Sequence, residues 1–332
     1  MNGQHLSKVF HGGTGIRAGK EAGAPLLDFS ASINPYPPHL SFQLDPFRLE
    51  HYPDDTYTEL KGVIAGRFCR DVDEIAIGNG SIEIIRVLCS SVLSPGDSVE
   101  ISPPTFGEYE FSARLAGASI GRGSGTRLRF LCNPNNPTGH LVERDEILSM
   151  LDRCEEDEAL LAVDEAFIEI SDDPMQTLVG IRHPSLFVMR SLTKSFAVPG
   201  IRFGYGFGNP DLVGMLEARR LPWSVNVVAE HLAIEAFLRY EELSISRERI
   251  RSERERLCRG LLDLPLEIVP SRTNFLLLNT KGDVVPLVEC LMRRGILVRD
   301  CHSFGLPNSI RVAVRTREEN LRLLEALSEC LR

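Results

Sequence analysis

No stretch of the 332 residues stays apolar for the length a bilayer crossing needs, and the opening Met1-Asn2-Gly3-Gln4-His5 carries no signal-peptide pattern. The chain is therefore expected in the cytoplasm. An excess of basic residues is also missing: 37 Lys and Arg stand against 46 Asp and Glu, a net charge of -9. That argues against non-specific nucleic-acid binding through a basic surface. The eight cysteines (Cys69, Cys89, Cys132, Cys154, Cys258, Cys290, Cys301 and Cys330) are scattered and include no C-x-x-C pair. This is neither a zinc pattern nor a compact disulfide framework, so no metal and reduced thiols are expected. There is no internal repeat and no low-complexity segment. What is present is ordinary: 43% apolar and 25% charged residues, in a chain long enough for a large core and two domains.

One stretch organises the rest. The apolar run Leu186-Phe187-Val188-Met189 ends in Arg190 and delivers Ser191-Leu192-Thr193-Lys194. After Pro199-Gly200, Arg202 opens a second strand-like run to Phe207. A lysine at the end of a buried strand, beside hydroxyls and an arginine, can hold an aldehyde cofactor as a Schiff base while its neighbours hold the cofactor's phosphate. A surface lysine in a Ser/Thr-rich loop fits this stretch alone equally well.

Other strand ends favour the first reading. Glu74-Ile75-Ala76-Ile77 runs into Gly78-Asn79-Gly80-Ser81 and an apolar helix from Ile82 to Leu93, a strand–turn–helix arrangement suited to an anion. The strand Asp97 to Ile101 leads to Phe106, an aromatic able to stack on a planar ring or simply to fill core. Leu128 to Cys132 ends in Asn133-Pro134-Asn135-Asn136-Pro137-Thr138-Gly139, where prolines stop the strand and amides can donate to a ring oxygen. Ala159 to Val163 is apolar throughout, as a strand buried on both faces should be, and ends in Asp164. A carboxylate there needs a cation, either an arginine or a protonated pyridine nitrogen. Strands alternating with helices imply a mostly parallel α/β sheet, whose ligands sit beyond the carboxyl ends of the strands. Gly80-Ser81, Asn136, Asp164 and Lys194 all fall at that end.

The organisation expected is an arm over 1–35, a large domain over 36–225, a linking helix over 226–262 and a small α/β domain over 263–332. Helices are expected over Thr58 to Phe68, Glu143 to Cys154, Asp211 to Arg220, Glu318 to Leu331 and, as one charged rod, Val228 to Leu262. Arg299 and Arg311 lie in strands of the last unit. They clamp anions if they face the cleft and are ordinary surface residues if they do not.

Taken together, Asn133–Gly139, Asp164-Glu165-Ala166 and Ser191–Lys194 with Arg202 resemble the fold-type I pyridoxal-phosphate enzymes of the aspartate aminotransferase class, over nearly the whole chain. Within it, several stretches resemble the threonine-phosphate decarboxylases of cobalamin biosynthesis. They are His11-Gly12-Gly13, Leu27 to Pro35, Phe167 after Asp164-Glu165-Ala166, Pro222 to Asn226, Ile296 to Cys301 and Arg311 to Arg315. Histidinol-phosphate aminotransferases are the alternative. Thr14 and a short Ser119 to Arg127 segment depart from the pattern. The resemblance implies a seven-stranded, mostly parallel sheet with a smaller C-terminal α/β domain, and pyridoxal 5'-phosphate as cofactor. It implies that Lys194 carries the cofactor, Asp164 holds its pyridine nitrogen protonated, Asn136 donates to the ring oxygen and Phe106 stacks on the ring. Gly80, Ser81, Ser191, Thr193 and Arg202 would hold the cofactor phosphate. Tyr52 would reach the phosphate of a neighbouring subunit, which implies a homodimer with shared sites. His11, Asn34, Arg299 and Arg311 would bind the phosphate and carboxylate of a small phosphorylated amino acid.

Overall fold

The computed structural model describes residues 9, 11–13, 15, 19–20, 25–43, 45–121 and 125–332. Met1 to His5, Thr14 and residues 122–124 of the Ser119 to Arg127 segment lie outside them. In chain order the strands are β1 (Leu27–Asp28), β2 (Ile75–Gly78), β3 (Ser98–Ile101), β4 (Ser119–Ile120), β5 (Thr126–Cys132), β6 (Leu160–Asp164) and β7 (Leu186–Ser191). They continue with β8 (Gly204–Phe207), β9 (Glu267–Val269), β10 (Phe275–Asn279), β11 (Ile296–Leu297), β12 (Arg299–Asp300) and β13 (Ser309–Ala313).

Seven strands form one sheet in the order β2-β8-β7-β6-β5-β3-β4. The pairs from β7 to β4 are parallel, whereas β8 runs against both β7 and β2. Both faces are covered, and the period of two in a strand explains how. Leu161, Val163, Leu186 and Val188 pack into one apolar cluster with the Thr58–Phe68, Arg144–Glu156 and Val227–Leu238 helices. Ala162, Phe187 and Met189 face the other way, into a cluster with the Ser81–Val92, Glu108–Leu115 and Pro210–Arg219 helices. Two buried faces leave no polar alternation, so the sequence of β6 and β7 reads as a solid apolar run.

A second, antiparallel sheet has the order β12-β13-β10-β9 and its own apolar cluster around Leu276, Leu278, Ile310 and Val312. The arm packs beside it: β1 pairs in parallel with β11, Leu27 opposite Ile296, as a separate two-stranded sheet, and Phe29 sits in the same cluster. Among the described residues no helix is long and apolar enough to cross a membrane.

Three expectations are corrected. The charged stretch is not one helix but two, Val227–Leu238 and Leu243–Leu261, joined by a 3-10 turn at Tyr240–Glu242. The turn delivers the Tyr240 hydroxyl to Arg190, 2.8 Å away, and the charge alternation carries no trace of it. The run from Ile296 to Arg299 is divided between two partners, with β11 on the arm and β12 on β13. Cys290 and Cys330 form a disulfide, Cα atoms 5.9 Å apart, instead of lying reduced. The Val285–Arg293 and Arg317–Cys330 helices cover the same cluster, which brings together two cysteines 40 residues apart.

Candidate active site

The carboxyl ends of β6 and β7 and the turn after β2 open into a cavity of about 1090 Å³. On the anion side, Gly80 adopts φ 78 and the Ser81–Val92 helix starts directly after it. Arg202 sits at φ 57, a region uncommon for a residue with a side chain. That backbone aims its guanidinium over Gly80, where a Cβ would lie 2.6 Å from Nη2. Gly204 at the start of β8 is equally constrained, since a Cβ there would lie 2.4 Å from the Ser81 nitrogen and 2.6 Å from the Gly80 carbonyl carbon. Backbone cannot yield as a flexible side chain can. Gly204→Ala is therefore expected to push β8 off the turn and weaken cofactor binding about tenfold or more, ~1.4 kcal/mol. Titration of the apoprotein with cofactor checks this, and an unchanged Kd would remove the turn from the binding site. Ser191 and Thr193 bring their hydroxyl oxygens within 2.8 Å of each other, and both line the same cavity. The site thus offers a helix N-terminus, two hydroxyls and one guanidinium to a phosphate.

Lys194 also lines the cavity, on the four-residue turn Leu192–Ser195. Burial pushes its ammonium down to about 8, and the nearby charges of Arg311 and Arg202 push in the same direction. Asp164, at the end of β6, is 3% exposed. Burial pushes its carboxyl up to about 6, against hydrogen bonds from the Tyr109 hydroxyl at 2.7 Å and the Ala166 nitrogen at 3.0 Å. A cation delivered into the cavity would relieve that penalty.

Tyr109 is a member of the site that sequence reasoning missed. It is fully buried on the Glu108–Leu115 helix, itself unforeseen because its inward stripe (Tyr109, Ser112, Ala113) is mostly small or polar. A signal was available: a buried carboxylate needs a donor, and Tyr109 stands one helical turn after Phe106, whose ring contacts it edge to face at 5.5 Å.

Opposite the phosphate side, Asn136 Oδ1 accepts from Arg311, which leaves the Asn136 amide nitrogen as its donor toward a ligand. Arg311 also donates through Nη2 to the Ser30 carbonyl at 2.9 Å. Its Nε is buried and has no hydrogen-bond partner among the described residues. Burial pushes Arg311 down to about 10. Arg299 is its direct cross-strand neighbour in the β12–β13 pair; both line the cavity. His11 reaches the cavity from the arm, its Nε2 2.9 Å from Glu108 Oε1 and its ring 5.8 Å from that of Phe106.

Three of the expected residues do not line this cavity. Asn34 is buried, and its carboxamide donates to the Ser195 carbonyl at 2.7 Å and accepts from the Tyr36 nitrogen at 2.8 Å. Tyr52 is 80% exposed and lies against Trp223, ring centroids 4.6 Å apart, away from the cavity of its own chain. Gly80 does not line the cavity either; it makes room for Arg202 at the rim.

A lysine with a depressed pKa, a buried acid in need of a cation, an anion cradle and an orphaned guanidinium donor fit an aldehyde cofactor that carries a phosphate and a protonatable ring, with an anionic substrate beside it. The profile of the aminotransferase class I and II family matches residues 121–327. The chain belongs to that family. It is 34% identical to a histidinol-phosphate aminotransferase of Symbiobacterium thermophilum, over 84% of this chain and 82% of that protein. It is 36% identical to a protein of Caldanaerobacter subterraneus provisionally named threonine-phosphate decarboxylase, over 90% and 88%. A crystal structure of histidinol-phosphate aminotransferase from Sinorhizobium meliloti, in complex with pyridoxal-5'-phosphate, shares the fold with a TM-score of 0.86 at 22% identity, over 99% of this chain and 96% of that one.

Proposed function

We propose that this enzyme decarboxylates L-threonine O-3-phosphate to (R)-1-amino-2-propanol O-2-phosphate. Its cofactor is pyridoxal 5'-phosphate, which supplies an electron sink when bound. The observation that carries the substrate reading is the Arg299–Arg311 pair. Like charges directly opposite each other on neighbouring strands destabilise a sheet, and here both also face one cavity. A ligand with two anionic groups, a carboxylate and a phosphate, offsets that repulsion.

The protein's own part in the reaction is positioning and proton handling. Lys194 meets the cofactor as a neutral amine. Asp164, oriented by Tyr109, keeps a proton on the pyridine nitrogen. The bond that breaks at Cα is the one held perpendicular to the cofactor ring, and the arginine clamp sets which one that is. With the carboxylate there, CO₂ leaves and Lys194, which would by then hold a proton taken from the substrate's own ammonium group or from solvent, is placed as an ammonium to return one proton to Cα. With the hydrogen there, the outcome is transamination, the reading that the aminotransferase relative favours. Tyr52, exposed and remote from its own cavity, serves the site of a second copy in this proposal; sedimentation of the active enzyme as a monomer would discard that role.

Purified protein incubated with threonine phosphate should release CO₂, and with histidinol phosphate plus 2-oxoglutarate should form no glutamate. The reverse result sinks the decarboxylase. Arg311→Ala should raise KM for threonine phosphate about 100-fold, ~2.7 kcal/mol, the range expected of a buried charged hydrogen-bond donor. An unchanged KM would take Arg311 out of substrate binding.

A further inference from the structure

Behind Lys194, on the side away from the cavity, lies a buried polar cluster to which the reaction above gives no task. Its centre is Glu169, 2% exposed, on the short turn Ile168–Ile170. Glu169 Oε1 accepts from the Tyr205 hydroxyl at 2.5 Å and the Tyr240 hydroxyl at 3.1 Å. The Arg190 guanidinium stands 3.6 Å from it, and Arg247 donates to the Glu169 carbonyl at 3.1 Å. The other oxygen, Oε2, accepts from the hydroxyl of Ser195, the residue that follows Lys194 and is itself fully buried.

We propose that Glu169 is a positioning residue for Lys194 and acts through the Ser195 hydroxyl. The turn that carries Lys194 is four residues long, too short to hold its own shape. Its position is set by what grips it. From the arm side, the Asn34 nitrogen donates to the Lys194 carbonyl at 3.0 Å and the Asn34 side chain to the Ser195 carbonyl. From the opposite side the grip is Ser195 on Glu169. Burying a carboxylate is costly, and an apolar residue would fill the same space without that penalty. Three hydroxyl donors and the Arg190 guanidinium hold this one in a single orientation, which is what a support for a reactive group requires.

The inference rests on Lys194 carrying the cofactor, and it holds whichever bond at Cα is broken. The test starts from wild-type holoenzyme showing its visible cofactor band, so failure of the cofactor reading is seen first and separately. Ser195→Ala removes one hydroxyl; Glu169→Gln keeps the shape and removes the charge. In both, kcat is expected to fall about 10- to 100-fold with KM changed less than about threefold, the effect of a misplaced reacting group. The pH midpoint of the visible band should move by roughly half a unit or more in both, in the same direction. The double variant should be no worse than the more impaired single variant, since both changes cut one path. Two results overturn the proposal. One is a lowered Tm with kcat and the band midpoint as in the wild type, which is a purely structural role. The other is a double variant whose losses multiply, which means that Glu169 does not act through Ser195.

Discussion

Lys194→Ala should abolish turnover and bleach the protein. The loss in kcat is expected at about 10³-fold or more, ~4 kcal/mol, because the variant lacks both the nucleophile and the proton donor. The visible band of bound cofactor should vanish while the far-ultraviolet spectrum stays native, since Lys194 contributes little to the apolar clusters of the sheet. A pH signature separates this lysine from an ordinary one. With its pKa pushed down to about 8, about a tenth of the amine is neutral at pH 7, against roughly one part in three thousand for an unperturbed lysine. Capture of the aldehyde by apoenzyme should therefore speed up with pH and level off just above 8, not near 10. A visible band that survives in Lys194→Ala, or a capture rate still climbing at pH 10, would refute the assignment.

The sheet side of this site could be read from the sequence because strands buried on both faces are unbroken apolar runs. What interrupts such a run, as Asp164 and Ser191–Lys194 do, must have a reason to be there. The four proposed groups at strand ends converge because the crossovers put all those ends on one side. Arg299 and Arg311 were found by residue type, but their facing the cavity depends on register, which only pairing of β12 with β13 fixes. The hold of Asn34 on the Lys194 turn was not legible for a related reason. Its partner Ser195 lies 161 residues away, and nothing local separates an amide that holds backbone from one that holds a ligand. Tyr109 and the break at Tyr240 were hidden by amphipathicity of a different sort. Both residues bring a hydroxyl to a buried charge, so their environment is set by a partner on another element and not by the pattern around them. The Cys290–Cys330 disulfide belongs to the same group, since the packing of two helices decides it.

Asp164→Asn should split stability from activity. In the cofactor-free protein the Asp164 carboxyl rises from an ordinary 3.8 to about 6, because burial opposes its charge more than Tyr109 and Ala166 support it. The folded state then holds a proton that the unfolded state has released between those two values, so stability falls as pH rises through that window. At neutral pH the charge costs on the order of 3 kcal/mol. Asparagine has nearly the same shape and cannot ionise; its Oδ1 can accept from the Ala166 nitrogen, while its Nδ2, in the place of the oxygen that accepts from Tyr109, would donate to the Tyr109 hydroxyl. Apo Asp164→Asn should therefore unfold at the same temperature as the wild type or a few degrees higher, and its Tm should lose the downward trend between pH 4 and 6. Activity should move the other way. A neutral amide cannot keep a proton on the pyridine nitrogen, so kcat is expected to drop about 10³-fold, ~4 kcal/mol of transition-state stabilisation. Cofactor binding should also stabilise the variant less than the wild type, because the ion pair that relieves the buried charge no longer forms. Thermal melts of apo and holo protein, with and without the substitution, give all four quantities. An apo variant clearly less stable than wild type would mean that Asp164 serves the fold, whereas the proposed assignment has the fold tolerate a buried charge for the sake of the cofactor.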